Sequence, residues 1–537
     1  MSRLAWVGVT AAMLAMTAAP AAASHGGGRP SPGAADSGDP LFPGLGNGGY
    51  DVGHYTLDLT YATTDSVQAI PVVETIQARA TQALSRFDLD FSGDSVSSVR
   101  VDGAQAAFVR EGEELVITPA RPIAKHRRFV VRVRYSSGPR ELSPEDATDL
   151  NKVVATAWFA TPSGSITAAQ PNGAHRIFPS NDVPSDPATY SFHALTPAGS
   201  TFAANGELTG KRSFPGRTLW SYEEREPMAS ELIQLAFGAL TIRPRAPEQG
   251  VELRDVAPTD QIDALEPALV RARDHLDFMT AKVGRYPFSV YGSLISDASF
   301  PFALEDQTLS LYPAFVFFPA PSTPFGDPRF YEPIMVHELA HQWYGDDVMP
   351  ALWADVWLNE GHATWYEWEY AQERGDPAFY LEGGSFESQV RAAYARGDQL
   401  RAAFGPVAAP IHGADDIASM FSPNVYEGGA LVLYALRQVV GDPTFRTIER
   451  AWPRRFGGGP ATTADFIAFA SRIAHRDLTA VLTSWLYGTT TPPMPGHPDW
   501  TVDPVPAPTT AAARRARAGA RNATAPGVQA FLRSFRR

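Results

Sequence analysis

The chain has 537 residues, 44% of them hydrophobic and 19% charged, which is too long for one ordinary core and leaves ample apolar surface to bury, so two or three globular domains are expected. A net charge of −13 argues against nucleic-acid binding by the body of the protein, and no apolar run beyond the N-terminus is long enough to span a bilayer. Without a single cysteine the chain has no disulfide and no thiolate metal site, so any zinc must be held by histidine and carboxylate.

In chain order, Met1-Ser2-Arg3, an apolar run from Leu4 to about Ala19 and then Ala21-Ala22-Ala23-Ser24 describe a secretory signal peptide over residues 1–23, cut near Ala23, and hence a secreted protein. Residues 24–49 are rich in Gly, Pro, Ser and Ala and read as a flexible linker. Strict alternation begins at Tyr55-Thr56-Leu57-Asp58-Leu59-Thr60-Tyr61, the period of a half-buried strand. Similar strands follow at Phe87–Phe91, Leu115–Ile117, Phe129–Tyr135 and Tyr190–Leu195, which predicts an N-terminal antiparallel β domain over 50–245.

The period changes after Pro258. Ile262, Leu265, Leu269, Ala272, Leu276 and Met279 fall on one helical stripe, with Thr259-Asp260 as its cap. Tyr291–Ser296 reads as a strand, and Phe302–Tyr312 is extended in pattern. A helix from about Glu332 to Gly345 carries His337-Glu338-Leu339-Ala340-His341. Two histidines four apart project from one helical face, where both imidazoles can grip one metal ion, and Glu338 stands where it reaches the attacking water without being a ligand. A surface helix with charges at turn spacing would give the same five residues. Glu360 weighs against that: it lies amid apolar neighbours in Trp357-Leu358-Asn359-Glu360-Gly361, where a carboxylate needs a partner. Two histidines and one carboxylate leave a fourth tetrahedral position open, as a catalytic zinc requires.

Residues from about 377 to 488 are mostly helical in pattern, with Val425, Ala430, Leu433 and Leu436 as packed positions and a last stretch from Phe466 to Leu486. The domain carrying the zinc motif is set at 246–492. Residues 493–537 form a Pro, Ala and Arg-rich tail with seven arginines from Arg514 onward; it reads as a disordered, solvated end, adhesion to an anionic surface being the second reading.

These residues resemble the gluzincin aminopeptidases of the aminopeptidase N type. His337, Glu338, His341 and Glu360 match the family's H-E-x-x-H-x18-E, and Trp357–Gly361 its W-L-N-E-G; Phe178-Pro179-Ser180-Asn181-Asp182 with Pro184 resembles its F-P-x-x-D-x-P segment. The resemblance implies a thermolysin-like, mainly helical catalytic domain with a small sheet, following the β domain in an α+β multidomain chain. It implies one Zn2+ per chain on His337, His341 and Glu360, with Glu338 and Tyr426 catalytic, Tyr426 as oxyanion donor from a Tyr-x-x-Gly segment. It implies that Glu305 and Ala303, in the stretch Phe302-Ala303-Leu304-Glu305-Asp306 that stands where the family has G-A-M-E-N, bind the substrate's amine and backbone. Gln170 is a further amine contact by the same likeness, and Glu367 an orienting partner for a ligand histidine. The family's large C-terminal helical domain has no counterpart here, so a more open cleft is expected. The implied activity is removal of N-terminal residues from peptides with a free N-terminus, an endopeptidase on the same zinc or an inactive peptide-binding surface protein being the alternatives.

Overall fold

The computed structural model describes residues 29–506; the signal-peptide assignment and the arginines from Arg514 onward lie outside them. The alternating stretches become strands because each puts its apolar set on one face. Tyr55, Leu57 and Leu59 are buried on Tyr50–Thr60 while Asp58 between them is exposed. Eight strands form one sheet in the order Glu207–Phe214, Arg217–Met228, Ala188–Pro197, Tyr50–Thr60, Ile70–Ala80, Arg128–Ser137, Ser95–Val101, Ala104–Gln105. All neighbours are antiparallel except Ala188–Pro197 against Tyr50–Thr60, which is parallel with Phe192 opposite Leu57. Two four-stranded sheets complete this domain, and one apolar cluster containing Tyr55, Phe87, Phe178, Tyr190 and Phe237 joins the layers.

The second unit has its own small sheet, ordered Leu240–Glu248, Val251–Pro258, Val290–Ser296, Ser310–Pro313. The first pair is an antiparallel hairpin and the other two pairs are parallel. Three helices matter for the site: the motif helix Pro328–His341, which packs against this sheet, the glutamate helix Trp357–Glu373, which packs on the motif helix, and the tyrosine helix Pro423–Val440, which packs on the glutamate helix. Their shared core is dominated by tryptophans, including Trp343, Trp357, Trp365 and Trp368. No helix among the described residues is long and apolar enough to cross a membrane.

Several expectations need correction. Leu240–Glu248 pairs with Val251–Pro258, so the second unit begins near residue 240, before the expected 246. Residues 29–49 are not a free linker but a strap across both units. On the β domain, Ser31–Pro32 pairs with Leu84–Asp90, and Gly46 and Asn47 donate backbone N–H groups to Asp90 Oδ1 (2.9 Å) and Asn181 Oδ1 (2.7 Å). On the helical unit, Phe42 packs on Trp353, Asp39 Oδ2 accepts from the backbone N–H of Trp353 (2.7 Å), and the carbonyl of Leu41 accepts from Ala414 (2.9 Å). Two buried apolar side chains are enough to hold a segment whose composition says linker. The tail likewise starts later than expected, because Met494 and Trp500 are buried, Trp500 stacking on His497 and Tyr434.

The stripe after Pro258 is buried as expected, but Thr259-Asp260 caps nothing; helix begins only at Glu266–Leu269, where Pro267 sits in the first turn that tolerates it. Residues 302–309 form a loop, joined to the sheet by a single bridge between Leu304 and Leu311, so the extended reading holds only for Ser310–Pro313. The last helical stretch is two helices, Thr463–Ile473 and Thr479–Tyr487, broken where His475 adopts a positive φ of 48°.

Candidate metal centre and substrate cleft

The motif helix starts at Asp327, whose carboxylate accepts from the backbone N–H of Arg329 (2.9 Å), with Pro328 in the first turn. It ends abruptly at His341. The following turn, Gln342–Asp346, has Tyr344 off helical geometry and Gly345 at φ 144°, a conformation that favours glycine. That turn folds the Tyr344 carbonyl back onto His341 Nδ1 (3.2 Å).

A carbonyl can only accept, so Nδ1 of His341 carries the proton and Nε2 presents a lone pair. His337 is arranged in the same way: Nδ1 lies 2.7 Å from Glu367 Oε2, and Tyr380 donates its hydroxyl to the other oxygen of Glu367 (2.7 Å). The two free Nε2 atoms converge on one oxygen, Glu360 Oε2, at 3.3 Å from His337 and 3.4 Å from His341. All three ligand atoms lie within 4.8 Å of one another, and all three residues are buried. This donor set fits a zinc ion: two neutral imidazoles turned inward by their outer partners, and one carboxylate. Burial opposes ionisation of Glu360, and the charged form of His341 and His337, which the surrounding carboxylates favour, holds its carboxyl down at about 2; a metal ion held by these residues would displace those two protons and take over their charge.

Glu360 reaches the motif helix because two helices cross at contact distance. Gly361 and Gly429 face each other where the glutamate and tyrosine helices meet, and a Cβ built on Gly361 would lie 2.8 Å from the α-carbon of Gly429. Both glycines belong to motifs read from the sequence, one following Glu360 and one three residues after Tyr426. Their bare backbones bring Glu360 and Tyr426 to one place. The Tyr426 ring stacks at 5.9 Å on that of His337, and burial, with Glu360 and Glu305 nearby, pushes its phenol well above 10. It therefore remains a hydrogen-bond donor.

Glu338 lines the same cleft. Burial raises its carboxyl to about 8; the positive character of His337 and His341 works against the rise, and Glu305 and Glu360 add to it. Across the cleft, Gln170 of the β domain donates Nε2 to Glu305 Oε1 (2.6 Å), and Glu305 Oε1 is 3.9 Å from His341 Nδ1. Ala303 lies beside it on the cleft wall. Every site residue singled out from the sequence is thus in one place: His337, Glu338, His341, Glu360, Glu367, Tyr426, Glu305, Ala303 and Gln170 all line one cleft.

Two further residues carry weight that the sequence reading did not assign. Gln342 donates Nε2 to the Glu305 carbonyl and to Asp346 Oδ2 (both 2.7 Å), while its Oε1 accepts from Thr308 N–H and from Tyr286 OH (both 2.9 Å). It fixes the Glu305 loop to the motif helix. Its one sequence signal is a polar amide placed directly after the candidate ligand His341; its burial emerges only from the structure. Tyr380, the second partner of Glu367, lies in a separate short helix, Pro377–Tyr380, and no local pattern marks it.

Residues 270–485 match the peptidase family M1 domain. The chain is 25% identical over 448 residues to leukotriene A-4 hydrolase of Xenopus laevis, covering 78% of this chain and 68% of that protein. It is 26% identical over 322 residues to aminopeptidase N of Streptomyces lividans, covering 58% of this chain and 36% of that one. Among solved structures, an M1 zinc metallopeptidase from Deinococcus radiodurans superimposes with a TM-score of 0.73 at 28% identity, covering 88% of this chain and all of the other. A variant of that enzyme was solved with a Tyr-Ser-Ala substrate, at a TM-score of 0.72 over 86% of this chain.

Proposed function

Given that the chain belongs to the gluzincin M1 zinc metallopeptidases and is a zinc-dependent hydrolase, we propose that it is an aminopeptidase, removing residues from peptides with a free N-terminus. The observation that carries this reading is the Gln170–Glu305 pair, a buried carboxylate held beside the metal residues from across the cleft. Such a carboxylate is the complement of an ammonium group; a chain passing straight through the cleft has no charge to offer it. The tripeptide seen on the Deinococcus enzyme supports a peptide substrate for this fold.

Each residue has a task in this reading. Glu305 accepts hydrogen bonds from the substrate's ammonium and so sets the distance from the N-terminus to the scissile carbonyl. Gln342 keeps that loop in place. Bound by His337, His341 and Glu360, zinc supplies Lewis-acid polarisation of the carbonyl and makes water more acidic. Glu338, whose carboxyl at about 8 would fall beside a bound cation, takes the proton from the attacking water and hands it to the leaving amine. Tyr426 donates its hydroxyl to the oxygen on which negative charge develops. Glu367 and Tyr380 hold the His337 ring in its tautomer and orientation.

The test compares a free aminoacyl chromogenic amide with its N-acetylated form, each with and without chelator. Cleavage confined to the free amine, abolished by chelator and by Glu338→Gln, is expected. Equal cleavage of the blocked form sinks the exopeptidase reading in favour of an endopeptidase; a metal-loaded protein inert on every peptide is a binder. Export is proposed on the sequence of residues 1–23 alone, and N-terminal sequencing of protein from the culture medium, beginning at Ser24, is its check.

A further inference from the structure

Three adjacent strands of the eight-stranded sheet carry arginines on their solvent side. On Arg128–Ser137 burial alternates through Arg134, so Arg128, Arg132 and Arg134 point outward while Phe129, Val131 and Val133 enter the core. Arg79 and Arg100 are exposed between buried neighbours on Ile70–Ala80 and Ser95–Val101, the strands on either side. The register sets Arg79 directly opposite Arg128 and Arg100 directly opposite Arg132. Opposed like charges destabilise a sheet, and the fold gives these no relief. Arg127 is paired with Asp102 (2.7 Å), whereas none of these five arginines has an ion-pair partner among the described residues; Arg100 donates to the carbonyl of Gly103 (3.1 Å). Of the neighbouring acids, Asp58 is taken by His193 (2.9 Å), and Asp51 stands opposite Arg79 without pairing with it.

We propose that this face is a docking surface for an acidic polysaccharide, a carboxylate-bearing sugar chain lying along Arg128–Ser137. By the rise and spacing of strands the five guanidinium groups occupy a strip about 20 Å long and about 10 Å wide, the footprint of a linear polymer and not of one small anion. Their planar forks suit carboxylates. Between them the face presents Val73, Thr75, Gln77, Ser98 and Val130, of which Thr75, Gln77 and Ser98 offer hydrogen bonds to ring hydroxyls. No aromatic stands among these positions, so stacked bases find no platform. Val130, 41% exposed, is too little apolar surface to enter a lipid layer. The chain as a whole carries −13, so a polyanion is drawn to this strip and repelled elsewhere. None of the five arginines lines the catalytic cleft, so a docked polymer retains the protein while leaving the cleft open.

The experiment measures binding of the full zinc-loaded chain to polygalacturonate, with neutral dextran, polyglutamate of matched charge and anionic phosphatidylglycerol vesicles as the other arms. Polygalacturonate is expected to bind at low salt, to lose most of its affinity at about 0.5 M salt, and to exceed polyglutamate about fivefold, the worth of a few added hydrogen bonds. Dextran, polyglutamate or vesicles binding as tightly overturns the choice of partner, and no binding in any arm overturns the surface. The triple variant Arg100→Ser, Arg132→Ser, Arg134→Ser should bind polygalacturonate about tenfold more weakly, on the usual worth of exposed ion pairs. Its kcat/KM on a leucine amide should stay within about twofold, and its thermal midpoint should hold or rise as opposed charges are removed. Lysine at the same three positions, which keeps the charge, should bind within about threefold of the parent. Unchanged affinity in the serine variant overturns the proposal: loss of binding on removing residues 507–537 would then assign docking to the arginine-rich end, and a lowered midpoint would assign the arginine stems to covering the sheet.

Discussion

Replacing Gly429 with alanine sets a methyl group 2.7 Å from the α-carbon of Gly361 and 3.3 Å from its nitrogen. Non-bonded carbons rest about 3.5–4.0 Å apart, so the glutamate and tyrosine helices must part by about 1 Å. Stability registers this weakly: overpacking costs about 1–3 kcal/mol, and alanine recovers roughly 1 kcal/mol over glycine inside a helix. Position registers it strongly. Glu360 directly precedes Gly361 and Tyr426 is three residues before Gly429, so the drift moves the proposed metal ligand and the proposed oxyanion donor together, away from His337 and His341. A displacement of that size costs about a hundredfold in rate. The assay is kcat/KM on a free leucine amide in zinc-buffered solution, with the thermal midpoint and zinc affinity of the same preparation. A hundredfold loss in a protein that still melts cooperatively is the expected outcome. Activity within about threefold of the parent would refute the claim that the glycine contact sets the site's geometry.

Glu367→Ala removes the acceptor 2.7 Å from His337 Nδ1; zinc affinity by chelator competition should fall about 10–100-fold, and Tyr380→Phe, which leaves that acceptor in place, should cost less. Phe42→Ala, which empties the contact on Trp353, should destabilise the helical unit by about 3 kcal/mol in denaturant titration. Glu74 is fully buried in the β-domain core with neither carboxylate oxygen hydrogen-bonded, and burial raises its carboxyl well above 4.5. The folded state therefore keeps a proton that the unfolded chain releases, so this contribution is complete below pH 4.5 and is lost at about 1.4 kcal/mol per pH unit as pH rises toward the folded value. Glu74→Met should remove that slope and raise the thermal midpoint more at pH 8 than at pH 5; an equal change at both pH values would contradict it.

The metal centre was legible because its geometry is written in short spacings: His337 and His341 share a helical face whatever surrounds them, and Glu360 advertised itself as a charge among tryptophans. The β domain was legible for a similar reason, alternation surviving in the long strands Tyr50–Thr60, Ile70–Ala80 and Arg128–Ser137, whereas short ones such as Gly164–Thr167 and Leu235–Gly238 are buried throughout. What did not show was contact between distant segments. Nothing local says that Gly361 meets Gly429 or that Tyr380 supports Glu367. The misreadings share a cause as well. Residues 302–309 carry a strand-like pattern, but two hydrogen bonds to Gln342, from its Nε2 to the Glu305 carbonyl and from the Thr308 N–H to its Oε1, hold them as a loop. Residues 24–49 look like linker because two apolar anchors, Phe42 and Leu45, are too few to set a composition.

The strap has a consequence for when the two units become one body. Asp39 is bonded to Trp353, 314 residues later, and Leu41 to Ala414. At about 5–20 residues per second of synthesis, the first of those partners emerges roughly 15–60 s after the strap itself. The β domain can close on its own strands long before then, but the catalytic unit gains its brace to that domain only when most of its helices exist. The strap is made first and seated among the last, so a nascent chain lacks this brace until Trp353 and Ala414 have both emerged. Timing of assembly, as much as the chemistry of the cleft, then governs when this hydrolase can first act.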